Sequence, residues 1–475
     1  MDSATAEASP PDQAATIGAL IARARTAQAA FADADQATVD DAVTALAWSL
    51  YQPARARAVA EMAVAETKMG NVADKIVKKQ RKTFGTLRDL LRVRSVGVIE
   101  DDPARGIVKY AKPVGVVAAL TPATNPGATP VNKAMMAIKG RNAIIVAPSP
   151  AAWCTTAHVV SLMRAELTRI GLPADLVQVL PRPVTKELTA ALMRAVDMVV
   201  VTGSQANVRQ AYASGTPAIG VGAGNVPAII DETADLDAAA GRIAASKSFD
   251  NATSCSSENA VVIVDAVYDA ALAALRRAGG YLVTAAERGR VAEQLWHDGK
   301  LNRDLVASDA DFLADRFKLA PAAYAARFFM VDEDGVGPFH PFSGEKLSLV
   351  LAVYRSTDFA AAIEQARAIL DYQGRGHSVG LHTSIPERGR QVAEQLDVVR
   401  VLVNQAHTFG NGGGFDNGLN FTLSMGCGTW GGNSISENLS WRHFINVTHL
   451  VTPIAEDRPT EEALFGAYWA RHGAA

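Results

Sequence analysis

Between residues 114 and 214 short apolar runs alternate with helical stretches, and this rhythm narrows the possible folds more than any other feature of the chain. The run 114–120 (Val-Gly-Val-Val-Ala-Ala-Leu) has no polar side chain, so a strand there must be covered on both faces. Further strands are predicted over 143–147, 176–180 and 198–202, with helices over 151–170, 185–195 and 205–214 between them. Strand–helix–strand units of this size imply an α/β fold whose parallel sheet carries helices on both sides.

The flanks extend the pattern. Helical spacing runs over 17–31, 39–51 and 56–79, and 106–110 is strand-like. Asp235 and Asp237 can cap a helix reaching about residue 248. A polar loop, 249–257, precedes a strand over 259–265, and a second α/β block continues to about 404. At 475 residues the chain exceeds one ordinary core. The expected division is 1–234 for N-terminal helices and a dinucleotide-binding domain, 235–428 for a second α/β domain carrying Cys255, and 429–475 for a segment returning to the first domain.

A net charge of −3, with Lys and Arg scattered along the chain, argues against nucleic-acid or membrane-surface binding. No apolar run is long enough for a membrane span, and the opening MDSATAEASPPDQAAT lacks the parts of a signal peptide, reading instead as a frayed terminus. A cytoplasmic location is expected. Cys154, Cys255 and Cys427 are far apart and odd in number, so neither a disulfide framework nor a metal site is expected.

Cys255 lies in the loop Ser248-Phe249-Asp250-Asn251-Ala252-Thr253-Ser254-Cys255-Ser256-Ser257-Glu258, between a helix and a buried strand. Such a loop can expose a nucleophilic thiol while rigid elements hold its ends. A lone cysteine is also often a small buried apolar residue, which suits Cys154 and Cys427.

Several motifs add to this in order: Thr124-Asn125-Pro126, Gly171-Leu172-Pro173, Thr202-Gly203-Ser204, Gly222-Ala223-Gly224-Asn225-Val226-Pro227, the Cys255 loop, Gly344-Glu345-Lys346-Leu347, and Cys427-Gly428-Thr429-Trp430-Gly431-Gly432-Asn433-Ser434. From about Lys112 onward the sequence resembles the aldehyde dehydrogenase superfamily, and within it the CoA-acylating branch. The resemblance implies a Rossmann-type cofactor domain, a catalytic α/β domain, and strand extensions (440–453 and 106–112) that pair subunits into a homo-dimer or homo-tetramer. It makes Cys255 the nucleophile, and the side-chain amide of Asn125, with the Cys255 N–H, an oxyanion hole. By itself, Asn125 reads equally as a turn residue before Pro126.

Hydrolytic relatives carry a glutamate upstream of the cysteine that activates water. Alignment on Pro227 places Val221 at that position, and valine cannot take a proton. A thioester without a general base waits for a better nucleophile, the thiol of coenzyme A. Glu258 is a conceivable substitute base, but the resemblance makes it structural.

The resemblance further implies a nicotinamide cofactor, NADP or NAD, contacted at Thr121, Pro122, Ser149, Gly203, Ser204, Gly222, Gly224 and Glu345. Ser204 opens a helix where backbone N–H groups can meet a pyrophosphate, and it can equally be an N-cap. Glu345 is expected to hold the nicotinamide ribose. Ala147 and Ser149 leave no carboxylate to repel a 2′-phosphate, which permits NADP. The Gly-rich stretch 407–417 suits an anionic, oxygen-rich aldehyde, with Arg375 and His407 as substrate-side candidates. Residues 420–427 look like those of acylating sulfoacetaldehyde dehydrogenases, which puts sulfoacetaldehyde ahead of acetaldehyde, propionaldehyde and succinate semialdehyde. The competing expectations are a hydrolytic enzyme and a silent structural or microcompartment homologue.

Overall fold

A computed structural model describes residues 13–473. The terminus read as frayed lies mostly outside the described residues. Two parallel sheets organise the chain. The first has five strands in the order Val177–Val179, Ala143–Pro148, Val116–Thr121, Met198–Thr202 and Ala218–Val221. Its three longest strands are almost wholly buried, as their unbroken apolar sequences require. The second has seven strands, with Glu258–Val264 and Val226–Ile230 at its centre. Each sheet has its own hydrophobic core.

The chain passes from one sheet to the other through residues 222–225, because Ala218–Val221 pairs with Met198–Thr202 while Val226–Ile230 pairs with Glu258–Val264. Strand Val226–Ile230, expected on the cofactor side of a division at 234, therefore belongs to the second sheet. A third, antiparallel sheet joins Gly97–Asp102, Ile107–Pro113 and Ile445–Val451. The two segments expected to mediate assembly thus pair with each other within one chain, and Ile445–Val451 forms the sheet's edge with most of its side chains exposed.

The helix expected over 56–79 is two helices, Pro53–Thr67 and Val72–Leu91. Lys68 and Gly70 adopt left-handed backbone conformations that end the first, and Asn71 caps the second by accepting the Asp74 N–H. A side chain at Gly70 would meet the Asp250 carboxylate at 1.9 Å, so only glycine lets this junction approach Asp250.

Candidate active site

Helix Leu236–Ser248, capped by Asp235, delivers the chain to Asp250, Asn251 and Ala252, three consecutive non-glycine residues with φ of 50°, 52° and 60°. Such a turn stores roughly 1–3 kcal/mol per residue and persists only where its surroundings over-determine it. Here they do. The Asp250 carboxylate accepts from the Asn71 N–H, from Lys75 and Lys78, and from Thr253 Oγ1. The Asn251 amide donates to Ala307 O and to Asp309. The turn presents Cys255 immediately before strand Glu258–Val264 enters the sheet.

Cys255 is free and half-buried. Burial, then the Glu345 carboxylate and Cys427, push its thiol up to about 12, with the Arg400 guanidinium and a hydrogen bond involving Ser256 working against them. Burial thus favours the neutral thiol over the thiolate in the free protein. Arg400 is buried and donates to His377 O, Gly426 O and Asn438. A Cβ on Gly224 would stand 2.3 Å from the Cys255 carbonyl oxygen, so the crossing between the sheets passes directly beneath the nucleophile. Val221, just before that crossing, is buried and contributes no polar atom.

Asn125 follows strand Val116–Thr121, and its Oδ1 accepts from Lys78 Nζ at 3.0 Å. Its Nδ2 has only a 3.5 Å contact with Thr124 Oγ1, and the Cys255 N–H donates to no protein acceptor among the described residues. Two donors therefore remain open in this region. Asn125, Ser254, Lys78, Arg81, Lys82, Phe249, Thr408, Phe409 and Leu423 line one cleft.

Glu345 is partly buried, and its carboxyl is pushed up to about 8 by burial, against the pull of the Gly224 N–H, Lys346 and Lys247. Glu258 is buried, accepts the His407 N–H, and is raised to about 7. The other expected residues gather at the carboxyl edge of the five-stranded sheet. Strand order reverses between Val116–Thr121 and Met198–Thr202, the switch point where α/β sheets place ligands. Lys133, buried behind it, donates to Leu120 O and Val200 O and ties these two strands together. Thr121 and Pro122 end one strand, and Gly203 and Ser204 follow the other. Ser204 caps helix Gln205–Tyr212 by accepting the Asn207 N–H. Ser149 follows Ala143–Pro148 and donates its N–H to Thr121 O. The buried Thr121 Oγ1 has no partner among the described residues. A side chain at Gly222 would meet Gln205 at 2.0 Å. This edge fits a dinucleotide.

Two expected residues stand outside the cleft. The guanidinium of Arg375 pairs with Asp371 and Asp397 on the surface and takes no part in the cleft. His407 is buried behind the cysteine loop, with Nδ1 against Ser256 O, and its neighbours Thr408 and Phe409 line the cleft instead. Sequence reasoning missed Lys78, Arg81, Lys82 and Asp250. Helix Val72–Leu91 is inside-out: Lys75, Lys78, Lys79 and Lys82 are buried at helical spacing, while Val77, Phe84 and Leu91 are exposed. The run Lys75 to Lys82 is thus an exception to the scatter of Lys and Arg along the chain.

The sequence model described as "Aldehyde dehydrogenase family" matches residues 3–284. The chain is 56% identical over 98% of its length, and 94% of the relative's, to the acylating sulfoacetaldehyde dehydrogenase of Cupriavidus necator. It is 43% identical to that of Bilophila wadsworthia, covering 96% of this chain and 99% of the other. Among solved structures, an acetylating aldehyde dehydrogenase from Geobacillus thermoglucosidasius superposes with a TM-score of 0.90 at 32% identity, covering 95% of this chain and all of that one. With the cysteine turn, the open amide beside it and the switch point in place, the chain belongs to the aldehyde dehydrogenase family, in its acylating branch.

Proposed function

We propose that this protein interconverts sulfoacetaldehyde and its coenzyme A thioester, using NADP or NAD as the redox partner and Cys255 as the acyl carrier. The observation that carries this reading is the likeness, along nearly the whole chain, to acylating sulfoacetaldehyde dehydrogenases. For the reaction to begin, the Cys255 thiol must lose its proton. The Arg400 guanidinium works toward the thiolate, against burial and Glu345.

Cys255 Sγ then bonds to the aldehyde carbon, and the carbonyl oxygen takes the negative charge between Asn125 Nδ2 and the Cys255 N–H. The nicotinamide supplies the acceptor for the hydride leaving that carbon. What remains is a thioester on Cys255. Val221 offers no base to activate water there, so the thiolate of coenzyme A attacks the thioester carbon and Cys255 leaves as thiolate. Thr121, Ser149, Gly203 and Ser204 would hold the dinucleotide, with Glu345 on its ribose.

No helix among the described residues is long and apolar enough to cross a membrane. We infer a cytoplasmic enzyme working as a homo-dimer or homo-tetramer, with the exposed edge of Ile445–Val451 as the pairing surface. Assaying the purified chain with a panel of aldehydes, with and without coenzyme A and with each dinucleotide, tests the reading. Sulfoacetaldehyde should give the highest kcat/KM and a coenzyme A thioester as product. Free acid formed equally well without coenzyme A rejects the acylating reaction, and a preference for neutral aldehydes rejects the substrate.

A further inference from the structure

Five cations lie within two turns of helix Val72–Leu91: Lys75, Lys78, Lys79, Arg81 and Lys82. Among the described residues only Asp250 forms ion pairs with any of them, and it serves Lys75 and Lys78. Burial lowers the Lys79 and Lys82 ammonium groups to about 7, and Asp416 and Asp89 act on Arg81 and Lys82 without forming ion pairs with them, so an anion seated here would hold both lysines charged.

Donor accounting locates where that anion sits. Three of the five cations line the cleft that also contains Asn125 and Ser254, the residue before Cys255. Lys78 has three N–H donors, and they are occupied by Asn125, Asp250 and Thr253. Lys82 donates once, to Gly412 O at 2.7 Å, leaving two donors. Among the described residues Arg81 makes no hydrogen bond and no ion pair, its buried Nε has no partner, and the Asp416 carboxylate acts on it only at longer range. Its guanidinium is held instead between aromatic rings, with Phe409, Phe415 and Phe421 centroids at 5.6, 5.1 and 5.7 Å. Rings fix a cation by its face and accept none of its in-plane N–H groups. Arg81 is therefore positioned with its donors uncommitted.

We propose that Arg81, with Lys82 beside it, is the specificity site for the anionic tail of the aldehyde: the guanidinium and ammonium donate to the sulfonate oxygens while the aldehyde carbon reaches Cys255. This rests on the substrate reading above and names the residues that enforce it. A sulfonate presents three equivalent oxygens and keeps its charge at any physiological pH, which suits a fork of donors plus a point cation. The assignment replaces Arg375, whose guanidinium is bound to surface carboxylates.

Two measurements on the full-length protein separate this inference from the substrate reading. In the first, kcat/KM is compared for sulfoacetaldehyde and propionaldehyde. Arg81→Gln should lower the ratio of the two about a hundredfold, Lys82→Gln about tenfold, and Arg81→Lys should recover part of the loss. In the second, iodoacetamide alkylation of Cys255 is followed in the presence of ethanesulfonate, propionate or propanamide. Ethanesulfonate should slow alkylation of the wild type at least tenfold and have no effect on Arg81→Gln or Lys82→Gln. Protection of the wild type without turnover of sulfoacetaldehyde would remove the substrate reading and keep the site. An unchanged kcat/KM ratio in all three variants, or protection by propionate equal to that by ethanesulfonate, overturns the inference and leaves the substrate reading standing.

Discussion

Lys78 Nζ stands 3.0 Å from Asn125 Oδ1 and gives its other donors to Asp250 and Thr253, so one ammonium group links the amide to the turn that carries Cys255. An ammonium group can only donate, which fixes the oxygen of Asn125 toward the lysine and leaves Nδ2 free. Asn125→Ala should slow acyl-enzyme formation about a hundredfold, the loss typical of one oxyanion donor. Lys78→Met should reproduce much of that loss, and the double variant should be little worse than Asn125→Ala. The burst of reduced nicotinamide in single-turnover kinetics reads all three. Independent, multiplying effects would show that Lys78 does not position the amide.

The thiol of Cys255 is held at about 12 in part by Glu345, which itself keeps its proton up to about 8. Below that pH Glu345 is neutral and does not oppose the thiolate; above it, the carboxylate does. The rate of Cys255 alkylation in the free enzyme should therefore rise about tenfold per pH unit with no plateau below pH ~10, following the thiolate fraction. Glu345→Gln should alkylate several-fold faster than wild type at pH 9, and the two should converge below pH 7. Identical profiles across that range would separate Glu345 from the sulfur.

Asp250 is buried between Lys75 and Lys78, which hold its carboxyl below the ordinary value. A depressed folded-state value contributes stability that is present above about pH 4, the unfolded value, and is lost as pH falls through the folded one. Asp250→Asn should cost about 3–5 kcal/mol at pH 7 by leaving two buried cations unpaired. Its stability should fall less steeply than wild type between pH 4 and pH 2. Denaturant unfolding over that range checks both, and a cost below about 1 kcal/mol would contradict the role of Asp250 in holding the turn.

Val221 ends strand Ala218–Val221, opposite Thr202 and one residue before the crossing beneath Cys255. A carboxylate introduced there supplies the base that the site lacks. Val221→Glu should raise the acid-to-thioester product ratio by tenfold or more, within the range of general-base contributions. An unchanged ratio in folded protein would mean that something other than the missing base protects the thioester.

The cofactor sheet was the most legible part of the sequence. Strand Met198–Thr202 was predicted over the same residues, and Ala143–Pro148 within one, because continuous apolar runs have no other stable place in a soluble fold. The break at Lys68 and Gly70 was hidden, since apolar spacing continues through it and only the approach of Asp250 demands the turn. Strand Gly97–Asp102 was missed because it lies in a small exposed sheet where little burial patterns the sequence.

What the sequence determined by itself was local and ordered: the alternation that makes parallel sheets, the cysteine in its polar loop, and motifs whose spacing names a family. What the tertiary structure decided was which charges meet. Lys78, Arg81 and Lys82 precede Cys255 by more than 170 residues in the chain, yet they line a cleft with its neighbour Ser254, while Arg375 turns to surface carboxylates. The physical reason is that electrostatic and hydrogen-bond partners are chosen by distance in space, and side-chain periodicity records only which face of an element is buried, not what it is buried against.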